Sequence, residues 1–344
     1  MSQYRVAVVG ATGAVGTKIL ELLETSPLPI AELKLLASSR STGQRRTFRG
    51  QEIEIQEAVP EQFDDVDIAF FSAGGSVSKR LVPEAVRRGA LVIDNTSAFR
   101  MEEGVPLVVP EVNMSDAYRH QGIIANPNCS TIQMVTALKP LRDRYGLEKI
   151  IVSTYQAVSG AGQQAIFELE EQTALLLKGE PVEPRILPVR SAEKHYQIAF
   201  NAIPQIDVFQ DNGFTMEEMK MIRETQKIFH QPDLPVTATC VRVPVYNGHS
   251  EAVYVELGSD FTLDEVRRLL AEAPGVVLVD DPEQQQYPMA VTASGRKEVF
   301  VGRIRQDLYH PRGLNLWIVA DNLLKGAAWN AVQIAECMFV PESS

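Results

Sequence analysis

Val6-Ala7-Val8-Val9-Gly10-Ala11-Thr12-Gly13-Ala14-Val15-Gly16 is the stretch that decides the fold. Its first four residues are apolar and mostly β-branched, without polar alternation, as in a parallel strand buried on both faces. A glycine-rich turn follows, and Ile19, Leu20, Leu22 and Leu23 continue as a helix. Strand, turn and helix in this order are the setting of a dinucleotide site. Small residues let the backbone approach a pyrophosphate, and the helix start offers free N–H groups. The spacing is GxxGxxG, not the commoner GxGxxG, and a merely tight turn is the competing reading. Gly10, Thr12, Gly13, Ala14 and Val15 are the candidate contacts.

The next strand, Leu33 to Ala37, ends in Ser38-Ser39-Arg40-Ser41. A site for NAD usually carries a carboxylate there for the ribose 2′-hydroxyl. Hydroxyls and an arginine suit a 2′-phosphate, so Ser38, Arg40 and Ser41 favour NADP; a solvated loop is the alternative. Val66–Phe71 and Leu91–Ile93 read as further strands, ending in Ser72-Ala73-Gly74-Gly75 and Asp94-Asn95-Thr96-Ser97. Open α/β sheets bind ligands at such carboxyl ends, which makes Ser72 and Asn95 cofactor candidates. Arg100 leaves the same edge, although an ordinary surface arginine fits it equally. Alternating strands and helices point to an α/β, Rossmann-like doubly wound sheet.

At 344 residues the chain exceeds one ordinary core, and two domains are expected. With 45% hydrophobic and 22% charged residues it is globular, and a net charge of -11 argues against a nucleic-acid partner. The three cysteines, Cys129, Cys240 and Cys337, form neither a disulfide framework nor a zinc motif, so no metal is expected. No signal-like n-region precedes the first strand and no segment reaches transmembrane length. A cytoplasmic setting, away from membranes, is the expectation.

Asn126-Pro127-Asn128-Cys129-Ser130-Thr131 lies between an apolar run, 122–125, and a helix marked by Ile132, Val135, Leu138 and Leu141. Cys129 therefore starts a helix, where the dipole favours thiolate; a buried structural cysteine is the alternative. A long strand from Lys149 to Val158 carries Gln156 near its end and leads into Ser159-Gly160-Ala161-Gly162. Residues 179–197 read as an irregular excursion. Thr215 and Glu218 have the spacing of a capping box for a helix to about Phe229. Val236–Val245 alternates as a half-buried strand of a mixed or antiparallel sheet, with Cys240 in the core. Arg242 shares the inward face and calls for an anionic partner. His249 falls in a turn, Tyr246-Asn247-Gly248-His249-Ser250, between two strands. His120, His195, His230 and His310 read as ordinary surface residues, and Glu217 with Lys220 as a local ion pair. A last helix is expected from Asn322 to about Met338.

Assembled, these motifs resemble the aspartate-β-semialdehyde dehydrogenase family over almost the whole chain: GATGAVG from Gly10, PNCSTIQM around Cys129, STYQAVSGAG around Gln156, RVPVYNGHSE around Arg242 and His249, FVGRIRQD near Arg303, and DNLLKGAAWN from Asp321. The resemblance implies an NADP-binding domain over 1–128, completed by a helix at 322–344, and a mixed-sheet catalytic and dimerisation domain over 129–321. It implies Cys129 as nucleophile, His249 as acid and base, and Gln156 as the residue orienting substrate. Arg242 and Glu217 would bind substrate, and Arg100 and Lys220 phosphate. Ser159, Gly160 and Asn322 join the cofactor contacts. The implied reaction is reduction of L-aspartyl-4-phosphate by NADPH through a Cys129 thioester, in a homodimer serving lysine, diaminopimelate, methionine, threonine and isoleucine synthesis. N-acetyl-γ-glutamyl-phosphate reductase and a non-catalytic NADP-binding relative are the alternatives.

Overall fold

The computed structural model describes residues 3–341. They divide into two compact units, one running up to Asn128 and resuming at Ala327, the other spanning Cys129–Gly326.

The first unit is built on β1 (Tyr4–Val9), α1 (Ala14–Thr25), β2 (Ile30–Ala37), β3 (Arg45–Phe48), β4 (Gln51–Glu57), β5 (Ile68–Phe71), α2 (Gly75–Arg87), β6 (Leu91–Asp94), α3 (Pro110–Ala117) and β7 (Ile123–Ala125). The sheet order is β3-β4-β2-β1-β5-β6-β7, parallel except for the β3–β4 hairpin. The order reverses at β1, so the turn after Val9 lies at a topological switch point. Val6 and Val8 face one core with Ile19 and Leu23 of α1. Ala7 and Val9 face the other, with Leu81 and Val82 of α2. This two-sided burial is why β1 reads as an unbroken apolar run. Gly16 fits the close packing: a Cβ there would collide with the carbonyl oxygen of Gly10.

The β3–β4 hairpin escapes the sequence reading because its residues are mostly polar and exposed, with β3 at the sheet edge. Such charge guards an edge against further strand pairing.

The second unit contains α4 (Cys129–Tyr145), β8 (Leu147–Gln156), α5 (Gln163–Leu177), α6 (Met216–Ile228), β9 (Val236–Arg242), β10 (His249–Leu257), α7 (Leu263–Glu272), β11 (Val276–Leu278), α8 (Ala290–Ala293), β12 (Val299–Gln306) and β13 (Gly313–Ala320). Its sheet, β11-β12-β13-β10-β8-β9, is mixed. β8–β9 and β11–β12 are parallel pairs and the rest are antiparallel. The chain returns to the first unit through α9 (Trp329–Phe339), whose Val332 and Ile334 enter the α1 side of that core.

Two expectations need correcting. The α4 helix is not a simple amphipathic one: every residue from Ser130 to Leu138 is buried, because α4 packs on β10 and β13 and also on α6 and α7. The last helix does not begin at Asn322. Asp321 first accepts the N–H groups of Leu323 and Leu324 through Oδ1. One π turn over Leu324–Ala328 follows, with Gly326 N–H donating to the Asp321 carbonyl at 3.1 Å, before α9 starts. The excursion at 179–197 has no regular element, but α5 holds it. Glu168 Oε1 accepts the N–H groups of Arg185 and Ile186, and just beyond it Gln172 Oε1 accepts those of Ile198 and Ala199.

Candidate active site

Strand register brings three of the expected residues to one end of the second sheet. In the parallel β8–β9 pair Gln156 stands opposite Arg242, and both close their strands. Antiparallel β10 starts beside them at His249, with Ser250 opposite Tyr155. All three side chains are buried. His249 is thus the first residue of a strand and wholly enclosed, not an exposed turn residue. The turn signal belongs to Asn247 and Gly248, just before it.

Ala157, directly after β8, fixes two of these groups with one residue of backbone. Its N–H donates to His249 Nδ1 at 3.0 Å. Its carbonyl accepts from Arg242 Nη1 at 2.7 Å. The first bond selects the tautomer: with Nδ1 accepting, the neutral ring carries its hydrogen on Nε2. Burial, and then the positive charge of Arg242, push the His249 pKa down to about 3. Nε2 is buried and meets no partner among the described residues. In this state His249 presents Nε2–H to the site as a donor.

Arg242 reaches further. Burial lowers its pKa, opposed first by Glu217 and then by Cys129. The guanidinium therefore lies within electrostatic range of the thiol, of Glu217 and of His249. Its Nε is buried without a partner among the described residues, a donor that suits a ligand carboxylate. Gly160 lies over this group: a Cβ there would come within 3.0 Å of Arg242 Nη1 and 3.2 Å of His249 Nε2.

Cys129 is the first residue of α4 and partly exposed. Helix start and nearby guanidinium both favour its thiolate. A Cβ at Gly326 would sit 2.7 Å from Cys129 Cβ, so the π turn and the thiol pack flush. Cys240 is different. It is buried, and burial and the charge of Glu217 push its thiol pKa far up, so it stays an inert core thiol.

Glu217 is buried and belongs to the cluster instead of forming a simple surface pair. Gln156 Nε2 donates to its Oε1 at 3.2 Å, and Lys220 Nζ reaches its Oε2 at 3.3 Å. Lys220 also binds Asp207 Oδ2 at 2.8 Å. Asp207 is a residue that the sequence did not flag: it stands in an irregular segment, without periodicity or motif. The capping box is present, and Glu218 Oε1 also accepts the Cys240 N–H, tying α6 to β9. Ser159 and Asn322 are buried and bonded to each other. Asn322 Nδ2 donates to Ser159 Oγ at 2.9 Å, and its Oδ1 accepts the Gly248 N–H.

In the first unit, the loops after β1, β2, β5 and β6 leave the same edge of the parallel sheet. Gly13 caps α1 without any side-chain acceptor, which leaves the first N–H groups of α1 for an anion. Thr12 Oγ1 and Ser41 Oγ are 3.5 Å apart, and Arg40 is exposed beside them. Ser72 Oγ donates to the Val9 carbonyl, and Asn95 Nδ2 to that of Phe71, while Asn95 Oδ1 is buried without a partner among the described residues. These residues fit a dinucleotide along that edge. Arg100 is not a surface arginine: it is buried, donating through Nε to the Asn126 carbonyl and through Nη2 to that of Asn95, both at 2.9 Å.

The enclosed imidazole makes stability depend on pH. The His249 pKa falls from an ordinary 6.5 to about 3 on folding, so the unfolded chain binds the extra proton between these values. Stability is then complete above the unfolded value and declines as pH drops toward the folded one. Between about pH 6 and pH 4 the wild type is expected to lose up to about 1.4 kcal/mol per pH unit more than His249→Asn. Urea unfolding at several pH values measures both slopes, and equal slopes would contradict the buried neutral ring.

Comparison with known proteins bears on this arrangement. Residues 5–120 match the family model for a semialdehyde dehydrogenase NAD binding domain, and residues 138–325 that for a semialdehyde dehydrogenase dimerisation domain. Aspartate-semialdehyde dehydrogenase of Bacillus subtilis is 64% identical over 97% of this chain and 96% of its own. That of Legionella pneumophila is 55% identical over 98% and 96%. Among solved structures, aspartate semialdehyde dehydrogenase II from Vibrio cholerae, complexed with ASA, has a TM-score of 0.93 at 49% identity, covering 100% of both chains. The Candida albicans enzyme with NADP has a TM-score of 0.75 at 25% identity over 98% of both chains. No described helix is long and apolar enough to cross a membrane. On the two domain matches and this level of identity, the chain belongs to the aspartate-semialdehyde dehydrogenase family.

Proposed function

We propose that the chain catalyses the reversible, NADPH-dependent reductive dephosphorylation of L-aspartyl-4-phosphate to L-aspartate 4-semialdehyde through a thioester on Cys129. The observation that carries the reading is a thiol at a helix start, within range of a buried arginine that is itself held beside a neutral histidine.

The Cys129 thiolate attacks the acyl carbon; the C–S bond forms, the C–O bond breaks and phosphate leaves. The thioester divides one hard displacement into two easier steps. NADPH, when bound, supplies the hydride that reduces this thioester. The thiohemiacetal oxyanion that results on Cys129 collapses as its C–S bond breaks, releasing aldehyde and thiolate, with His249 as the acid and base for the proton transfers. His249 Nε2–H stabilises the developing oxyanion, a contribution of about 10²–10³ in kcat. Arg242 receives the substrate carboxylate, Glu217 its amino group, and Gln156 orients the acyl group. Arg100 and Lys220 are assigned to the phosphate, the latter steadied by Asp207 and Glu217. The turn from Gly10 to Val15 takes the pyrophosphate; Ser38, Arg40 and Ser41 take the 2′-phosphate. Ser72 and Asn95 line the same edge, and Ser159, Gly160 and Asn322 complete the cofactor contacts.

The chain acts as a homodimer in a reducing cytoplasm. Ile151 and Tyr155 are exposed on the face of the second sheet away from α4, with Tyr155 against Trp317 at 5.6 Å between ring centroids. An apolar sheet face of this kind suits a second copy, and three free cysteines suit the compartment.

With L-aspartate 4-semialdehyde, reduction of NADP+ is expected to require inorganic phosphate and to exceed that of NAD+ by about ten-fold or more. Arg40→Ala narrows that preference, since a charged contact is worth about 1.5–3 kcal/mol. Turnover independent of phosphate, or equal use of NAD+, contradicts the reading. His249→Ala is expected to lower kcat about 10²–10³-fold, whereas His249→Gln, which keeps an N–H donor, retains a larger share. Equal losses in the two variants would assign the histidine's contribution to proton transfer rather than to hydrogen-bond donation.

A further inference from the structure

One buried carboxyl takes no part in this chemistry. Glu251 stands two residues after His249 on β10, on the same face of the strand, and is fully buried. Neither carboxyl oxygen meets a hydrogen-bond partner in donor form among the described residues. Among the described residues no cation offsets its charge; the polar group acting on it is the Gln133 side chain, which lowers the pKa and only partly opposes burial. An ionised carboxylate so enclosed and unpaired is costly. Burial accordingly pushes the Glu251 pKa well above the usual carboxylate range.

Gln133 lies four residues after Cys129, one turn along α4, and is fully buried. Its Nε2 donates to the His249 carbonyl at 3.2 Å. That bond fixes which end of the amide is nitrogen, and Oε1 is left buried without a partner. An orphaned amide oxygen and a carboxylic O–H are complementary: together they satisfy both groups, and apart each is a buried loss.

We propose that Glu251 and Gln133 form a positioning pair for the Cys129–His249 arrangement: the Glu251 carboxylic acid donates to Gln133 Oε1, and the amide so oriented holds the His249 backbone through Nε2. The first turn of the thiol helix is thereby locked to the strand start that carries the imidazole. The pair touches no reacting atom and acts through the placement of the thiol and the Nε2–H donor. The inference rests on the proposed roles of Cys129 and His249.

The test uses the full-length enzyme. Infrared difference spectra between wild type and E251Q at neutral pH are expected to show the C=O stretch of a protonated carboxyl; an ionised-carboxylate signature instead overturns the pair. E251L and Q133M, which keep volume but lose the hydrogen bonds, are expected to lower kcat about ten-fold with KM within about two-fold. E251Q keeps a donor and is expected to restore kcat. The E251L/Q133M double variant is expected to be no slower than the slower single one, as for groups acting as a unit. Alkylation of Cys129 by iodoacetamide should shift its pH profile in Q133M and not in E251Q. Should E251L fail to fold, the infrared band, E251Q and Q133M still decide. E251Q as slow as Q133M, or Q133M with unchanged kcat and alkylation profile, overturns the positioning role. Failure of the catalytic reading would show separately, as turnover retained in Cys129→Ser.

Discussion

One residue of backbone, Ala157, sets the chemistry of the second unit. Its N–H is given to His249 and its carbonyl receives Arg242. Two groups that would repel each other as cations are thus held side by side, and the repulsion is relieved by keeping the histidine neutral. The constraint is firm because Ala157 lies just past β8, where the chain is pinned again: Val158 N–H donates to the Val245 carbonyl and Ser159 N–H to that of Tyr246. A histidine with its hydrogen on Nε2 and an arginine with a free Nε then follow from backbone geometry alone.

The charge balance has the same logic. Glu217 is shared between Gln156 and Lys220, and Lys220 between Glu217 and Asp207. Side chains that would be long and mobile in water are each held at two points, so little ordering entropy would remain to be lost if a ligand binds against them. Cys129 and Cys240 show how position alone separates two identical side chains. One starts a helix within range of a guanidinium; the other is enclosed, close to carboxylates, and remains a thiol.

The sequence made the first unit legible because its signals are local. A buried strand, a glycine turn and a helix lie within about twenty consecutive residues, and period two and period 3.6 report them directly. The β3–β4 hairpin was not read, since its one apolar alternation, Ile53 and Ile55 on either side of Glu54, is short and set among polar residues. In the second unit the alternation of β9 correctly placed Cys240 and Arg242 inward. The burial of His249 was hidden, because Asn247 and Gly248 signal a turn and nothing local says that the next residue enters the sheet interior. Glu217 looked like half of a surface ion pair for the same reason: its partner Gln156 is 61 positions away. Resemblance to a known family named most of the candidate site where periodicity could not. It could not supply the tautomer of His249, the support of Asp207, or the pairing of Gln133 with Glu251, which depend on three-dimensional contacts.

The central claim is that Cys129 carries the acyl group. Incubating the enzyme with L-aspartyl-4-phosphate without NADPH, quenching in acid and mapping the peptides by mass spectrometry tests it most directly. The expected result is an aspartyl adduct on Cys129, stoichiometric with enzyme, removed by hydroxylamine and discharged to semialdehyde when NADPH is added. An adduct on another residue, or turnover in its absence, would contradict the thioester mechanism.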